Sequence, residues 1–216
     1  MSRQKRALQK NFVVFCEGDT EYNYINKMRK NQGVKIAIKP INMHGGGYAN
    51  FLKYIKKESQ TNCLAKFIIV DSDRLRKHPG ERAAFEQLVE YCKQQNKRNI
   101  VPHFLIVDNP DFEYVACLHA PEYLNQDVEN FITTIFKFKS LDDFKANENI
   151  YDFLNSGTRS NMIMLGRVCG KAKLVKNTYS VNKKNFQVVV SKTDVNWDNE
   201  NVRGSNIEEF FDVINW

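Results

Sequence analysis

Four carboxylates in three places follow short apolar runs: Glu17 after NFVVFC, Asp71 and Asp73 after KFIIV, and Glu113 shortly past the run ending at Val107. Oxygen donors of this kind suit a hard divalent cation, and magnesium needs only one or two of them when water and a phosphate complete its shell. The same groups work as general acids or bases when their proton affinity is tuned toward neutrality. Asp71-Ser72-Asp73 is the sharpest signal. In extended chain, residues two apart project to one side, so both carboxylates can face one cation. An isolated Asp-x-Asp also caps turns; the wholly apolar strand before this one strengthens the metal reading. Glu17 and Glu21 lie four apart on one helical face, and Gly18 between them allows a sharp turn from strand to helix. A carboxylate at a helix start is also favourable simply as a cap.

The elements that must position these groups are visible in the hydrophobic pattern. Asn11–Cys16 reads as a buried strand, and Asp19 or Thr20 as the N-cap of a helix carrying Tyr22, Ile25 and Met28. Val34–Ile41 alternates and predicts a second strand ended by Pro40. Gly45–Gly47 then breaks the chain before a helix with Phe51, Leu52 and Ile55. Lys66–Val70 and Ile100–Val107 predict two further strands, separated by an amphipathic helix with Ala84, Leu88 and Cys92. Asn109-Pro110 predicts a helix start over Asp111–His119. Strands alternating with helices imply crossovers and a parallel sheet. Ligands bind at the carboxyl edge of such a sheet, so Glu17, Asp71, Asp73 and Glu113 are expected at one pocket.

Beyond the core the signals are mostly helical: Val128–Phe136, Leu141–Asn147, roughly Ser160–Val175, a short strand Phe186–Val190, and a last helix. Ser205-x-x-Glu208 reads as a capping box for that last helix. The expected organisation is a basic arm over residues 1–10, an α/β core over 11–125, and a mainly helical extension over 126–216 packed on it.

Composition narrows the function classes. At 216 residues and 42% hydrophobic, the chain suits one globular α/β unit with an appendage. No run approaches the ~18 apolar residues of a membrane span. The five scattered cysteines never take Cys-x-x-Cys spacing, which predicts reduced thiols, a cytoplasmic setting and no structural zinc. No His-Glu-x-x-His or Gly-x-Ser-x-Gly is present, and no Gly-Lys-Ser/Thr follows the triple glycine. His44, His78, His103 and His119 are therefore expected on the surface or in hydrogen bonds. The net charge is +7, and Phe153 to Thr193 contains no acidic residue. Arg159, Arg167, Lys171, Lys173, Lys176, Lys183, Lys184 and Lys192 form a cationic segment expected to contact nucleic-acid phosphates, or else to pack beside the acidic tail.

FCEGDTEYNYI, IIVDSDR and DNPDFEYVACLH, in that order and each tied to a strand end, resemble the RloB-like proteins, which have Toprim-like catalytic domains. The resemblance spans nearly the whole chain and is strongest over residues 12–119. It implies a Toprim-like α/β fold with a mostly parallel central sheet flanked by helices. It also implies a magnesium-dependent (or manganese-dependent) nuclease centre. Glu17, Asp71 and Asp73 would be its catalytic residues, the same three with Glu113 its metal ligands, and Gly18, Glu21 and Asn109 its supporting residues. Many Toprim enzymes carry a third aspartate where this chain has Leu75, which leaves Glu113 to supply that carboxylate. The implied activity is phosphodiester hydrolysis of DNA or RNA in bacterial antiphage defence, beside an ATPase partner. The competing expectation is a non-catalytic nucleic-acid-binding or sensor subunit of such a complex. The sequence leaves open a homo-oligomer.

Overall fold

A computed structural model describes residues 11–31, 37–58, 62–185 and 187–214. The chain runs β1 (Asn11–Cys16), α1 (Asp19–Asn31), β2 (Ala37–Asn42), α2 (Tyr48–Lys57), β3 (Cys63–Asp71), α3 (Asp73–Lys77), α4 (Glu81–Arg98), β4 (His103–Asn109) and α5 (Phe112–Cys117). Four short helices follow: α6 (Val128–Thr134), α7 (Leu141–Lys145), α8 (Ile150–Leu154) and α9 (Asn161–Cys169). The chain closes with the strands β5 (Val175–Asn182) and β6 (Gln187–Val195), the two-residue β7 (Gly204–Ser205) and α10 (Ile207–Ile214).

The molecule is α/β, with a five-stranded sheet in the order β2-β1-β3-β4-β7. The first four strands are parallel and β7 adds antiparallel to β4. Both faces are covered, which is why the inner strands read as near-continuous apolar runs. Phe12, Val14, Phe67, Ile69, Phe104 and Ile106 point into one cluster; Val13, Phe15, Ile68, Val70, Leu105 and Val107 point into the other. That period of two is the pleat itself. Phe131, Phe144, Leu154 and Met164 of the extension share the cluster of Phe12 and Phe67, together with Phe210 of α10. Among the described residues no helix is long and apolar enough to cross a membrane.

Several expectations need correction. Pro40 lies inside β2 rather than ending it, because β2 is the edge strand and an outward position needs no N–H. The predicted start of that strand at Val34 lies outside the described residues, as do residues 1–10 and Phe186. Asn109 closes β4, and Asp111 is the cap of α5, its Oδ1 accepting from the Tyr114 amide at 2.9 Å; Pro110 precedes the cap. The helix predicted over Ser160–Val175 stops at Cys169, and Val175 opens an eight-residue strand paired antiparallel with β6. The extension is thus not mainly helical in its second half. Ser205 makes no capping box: its Oγ accepts from Ile207 N and donates to Asp108, while Glu208 pairs with Lys173.

Candidate active site

The chain leaves β1 toward one side to form β2, then crosses to the other side of β1 to form β3. The strand order therefore reverses between β1 and β3, and at the carboxyl ends of such a pair the loops part and leave a crevice. Glu17 follows β1 and Asp71 ends β3, so the topology alone sets both at that crevice. An open pocket of about 380 Å³ lies there, lined by Glu17, Gly18, Asp19, Glu21, Asp71, Asp73 and Glu113, with Arg74, Lys77 and Lys145 as its cations and His78 beside them.

Each carboxylate is anchored by a different device. Glu17 Oε2 accepts from the Asp71 backbone N–H at 2.9 Å, stitching the ends of β1 and β3 together. Asp71 Oδ1 accepts from Phe112 N at 2.9 Å, and its own carbonyl takes the Tyr48 hydroxyl at 2.6 Å. The chain is not extended between Asp71 and Asp73: Ser72 has φ −97° and ψ −6°, and α3 begins at once. The two carboxylates are therefore not set to one side by extended chain, as expected, although both residues line the pocket. Asp73 pairs with Lys77 at 2.6 Å on the next turn. Glu113, buried on α5, accepts from Thr20 Oγ1 at 3.0 Å and pairs with Lys145 at 3.3 Å.

The supporting residues divide. Glu21 is buried beside the other carboxylates. Gly18 lines the pocket, but a Cβ there would meet Glu21 Oε2 only at an ordinary 3.6 Å. Backbone freedom is needed instead at His44–Gly47, where four successive residues have positive φ and Gly45 N reaches Glu17 O. Asn109 is not in the pocket. Its Oδ1 receives Ser72 Oγ and Arg76, and its Nδ2 donates to the carbonyls of Asn199, Glu200 and Val202. It holds the Asp71–Asp73 turn from behind. Leu75 is buried in the core beneath that turn.

Crowding of acids dominates the electrostatics. Burial lifts the Glu17 carboxyl to about 7, against the Asp71 N–H that favours the anion, and with Asp73 and Glu81 adding repulsion. Burial also raises Asp71, followed by the charges of Glu21, Glu17 and Glu113. Glu21 rises through burial and the Glu113 and Glu17 charges. Glu113 rises through burial despite Lys145. Asp108, which the sequence marks only as the start of the run into the Asp111 helix, lies behind the pocket with its Oδ2 unpartnered; burial lifts it to about 7 against the Ser205 hydroxyl. Its register partner across the sheet is Asp71.

Such a set has too much negative charge for its own cations, and its donors are all hard oxygens. That fits magnesium or manganese by chemistry. Among the described residues no three His, Cys, Asp or Glu side chains already converge to hold an ion. Lys145 was not foreseen, since nothing local distinguishes one lysine at the end of a five-residue helix.

The cationic segment does not form one free face. Arg159 lies over the Phe153 ring at 4.1 Å and donates to the Phe153 carbonyl. Arg167 donates to the carbonyls of Ala120, Pro121 and Tyr123. Lys171 reaches Asn125 and the Tyr114 ring, Lys173 pairs with Glu208, and Lys192 pairs with Asp194. Lys176 is exposed on β5 opposite Asp194, and Lys183 and Lys184 are exposed at the hairpin turn. The two arginines have structural duties, and the exposed lysines gather on the hairpin.

The fold and pocket define an α/β protein with an acidic crevice at the switch point of its sheet. Compared with known protein families, curated proteins and solved structures, the chain finds no match.

Proposed function

We propose that this protein is a metal-dependent phosphodiesterase acting on DNA or RNA. The observation that carries the reading is the convergence of Glu17, Glu21, Asp71, Asp73 and Glu113 in one crevice at the carboxyl edge of a parallel sheet. Asp71, Asp73, Glu17 and Glu113 would hold magnesium or manganese. The bound cation would supply an activated water and offset charge on the phosphate. Where Glu17 is not itself a ligand, its anchored carboxylate at the crevice would take the proton of that water or return one to the leaving oxygen. In the balanced step a water oxygen bonds phosphorus, the ester P–O bond breaks, and the leaving oxygen gains a proton. Asn109 and Tyr48 hold the Asp71–Asp73 turn, and Thr20 orients Glu113. Mutual repulsion among the carboxylates gives a reason for the pocket to accept a cation at all.

The resemblance to RloB-like proteins extends the proposal to antiphage defence with an ATPase partner. One observation favours the non-catalytic reading: no three ligating side chains already converge among the described residues. Cleavage of single- and double-stranded DNA and RNA, with magnesium or manganese and with the ATPase present, separates the two. Metal-dependent cleavage that disappears in Glu17→Gln and Asp71→Asn is expected. Full cleavage by both variants refutes the assignment, and protection without any cleavage by wild type favours the binding subunit.

A further inference from the structure

The pocket is built by two parts of the chain. Its floor comes from the sheet, but Lys145 enters from α7 in the extension. Its neighbour Phe144 is buried among Phe136 and Phe138, and Ser140 Oγ caps α7 by accepting from Asp143 N. Those contacts hold α7 at the mouth of the crevice. The Lys145 side chain is 43% exposed, while that of Glu113, its partner at 3.3 Å, is 5% exposed. The ammonium thus stands between a buried carboxylate and the open mouth. It has three donor hydrogens, one of which suffices for Glu113.

The six carboxylates that line the pocket, Asp19 among them, repel an anion, so a phosphate must meet a cation on entry. Of the other basic groups at the pocket, Arg74 pairs with Glu81 at 3.3 Å and Lys77 with Asp73 at 2.6 Å, each within its own segment of the chain. Glu81 is itself fixed by the Tyr48 amide. Lys145 comes instead from α7 of the extension and lies near Glu113 and Asp71.

We propose that Lys145 binds the substrate's phosphate, making the C-terminal extension a working part of the catalytic centre rather than a packing appendage. The proposal rests on the phosphodiesterase reading and deepens it. A charge-assisted hydrogen bond to phosphate is worth roughly tenfold to a hundredfold in affinity.

The test uses the full chain with calcium and thymidine 5′-monophosphate as probes, read by thermal melting, and compares wild type with Lys145→Gln and Lys145→Arg. Glutamine keeps a donor for Glu113, so the variant should fold; arginine keeps the charge. Wild type should be stabilised by calcium and further by the nucleotide. Lys145→Gln should keep the calcium shift but bind the nucleotide about tenfold or more weakly, with Lys145→Arg closer to wild type. Unchanged nucleotide affinity in Lys145→Gln, or no nucleotide shift in wild type, overturns the proposal. Loss of the calcium shift in Lys145→Gln also overturns it, by showing that Lys145 merely holds Glu113 in place. No calcium shift in wild type instead removes the metal reading itself, and this proposal with it.

Discussion

At Glu17 one placement supplies both anchoring and an altered proton affinity, the two properties that the proposed reaction asks of a carboxylate. The Asp71 amide fixes Oε2, and burial at the junction of β1 and β3 lifts the acid. Arg167 shows the opposite fate for a charged group. It lies in the segment that looked most suited to nucleic acid, yet its guanidinium is spent on three carbonyls of the loop over residues 120–123. Charged hydrogen bonds contribute about 1.5–3 kcal/mol each at most, and the bonds of one group are not additive. Arg167→Ala is expected to lower stability by about 2–3 kcal/mol in urea unfolding while leaving nucleic-acid affinity within about twofold, whereas Lys183→Glu/Lys184→Glu should do the reverse. A stable Arg167→Ala with weakened binding would restore the arginine to the nucleic-acid interface.

Elements whose buried side chains are apolar were legible in the sequence, and those whose buried positions are polar were not. NFVVFC and KFIIV declared β1 and β3 because both faces of those strands are covered by helices. β5 hid because its inward positions include Asn177, buried and bonded to Glu209, Leu105 O and Thr193, so no apolar alternation marks it. Pro40 misled because its edge position cannot be read without the strand order. β7 joins the sheet through two residues, yet its fit is strict. A Cβ on Gly204 would lie 2.0 Å from the Ala172 carbonyl oxygen, a backbone atom that cannot swing away. Gly204→Ala should therefore cost about 3 kcal/mol or more and loosen the contact of α10 with β4. A melting temperature within a degree or so of wild type would mean that this junction is far more pliable than its packing indicates.

Across the whole molecule, the convergence of the carboxylates followed from strand order, and the strand order from apolar runs separated by helices. Which side chain would enter from the extension did not follow, because long-range packing of Phe144 decides it. Stability should carry the mark of the acidic crevice. Glu17 and Asp108 are acids raised to about 7 in the fold, as is Glu209, so each favours the native state most when protonated. That contribution is full below their unfolded values and is lost as pH rises through about 7. His103 and His119 act oppositely: burial lowers both to about 4, so their contribution is lost as pH falls from 6.5 toward 4. Between pH 6.5 and 8 the carboxylates act with little opposition from these histidines. The metal-free protein should lose on the order of 1 kcal/mol per raised acid across that window, and magnesium should restore part of it at pH 8. A flat or rising melting temperature from pH 6.5 to 8 would contradict the crowding of buried acids in the crevice.

The most direct measurement is calorimetric titration of manganese into the metal-free chain at pH 7.5, for wild type, Glu17→Gln and Asp71→Asn. Wild type should bind with saturable heat and release protons from the raised carboxyls, seen as a dependence of that heat on the buffer's ionisation enthalpy. Each variant should bind at least about tenfold more weakly while melting, without metal, at or above the wild-type temperature, because a repelling charge has gone. Saturable binding of equal strength in all three proteins, or no binding to wild type, would contradict the metal centre.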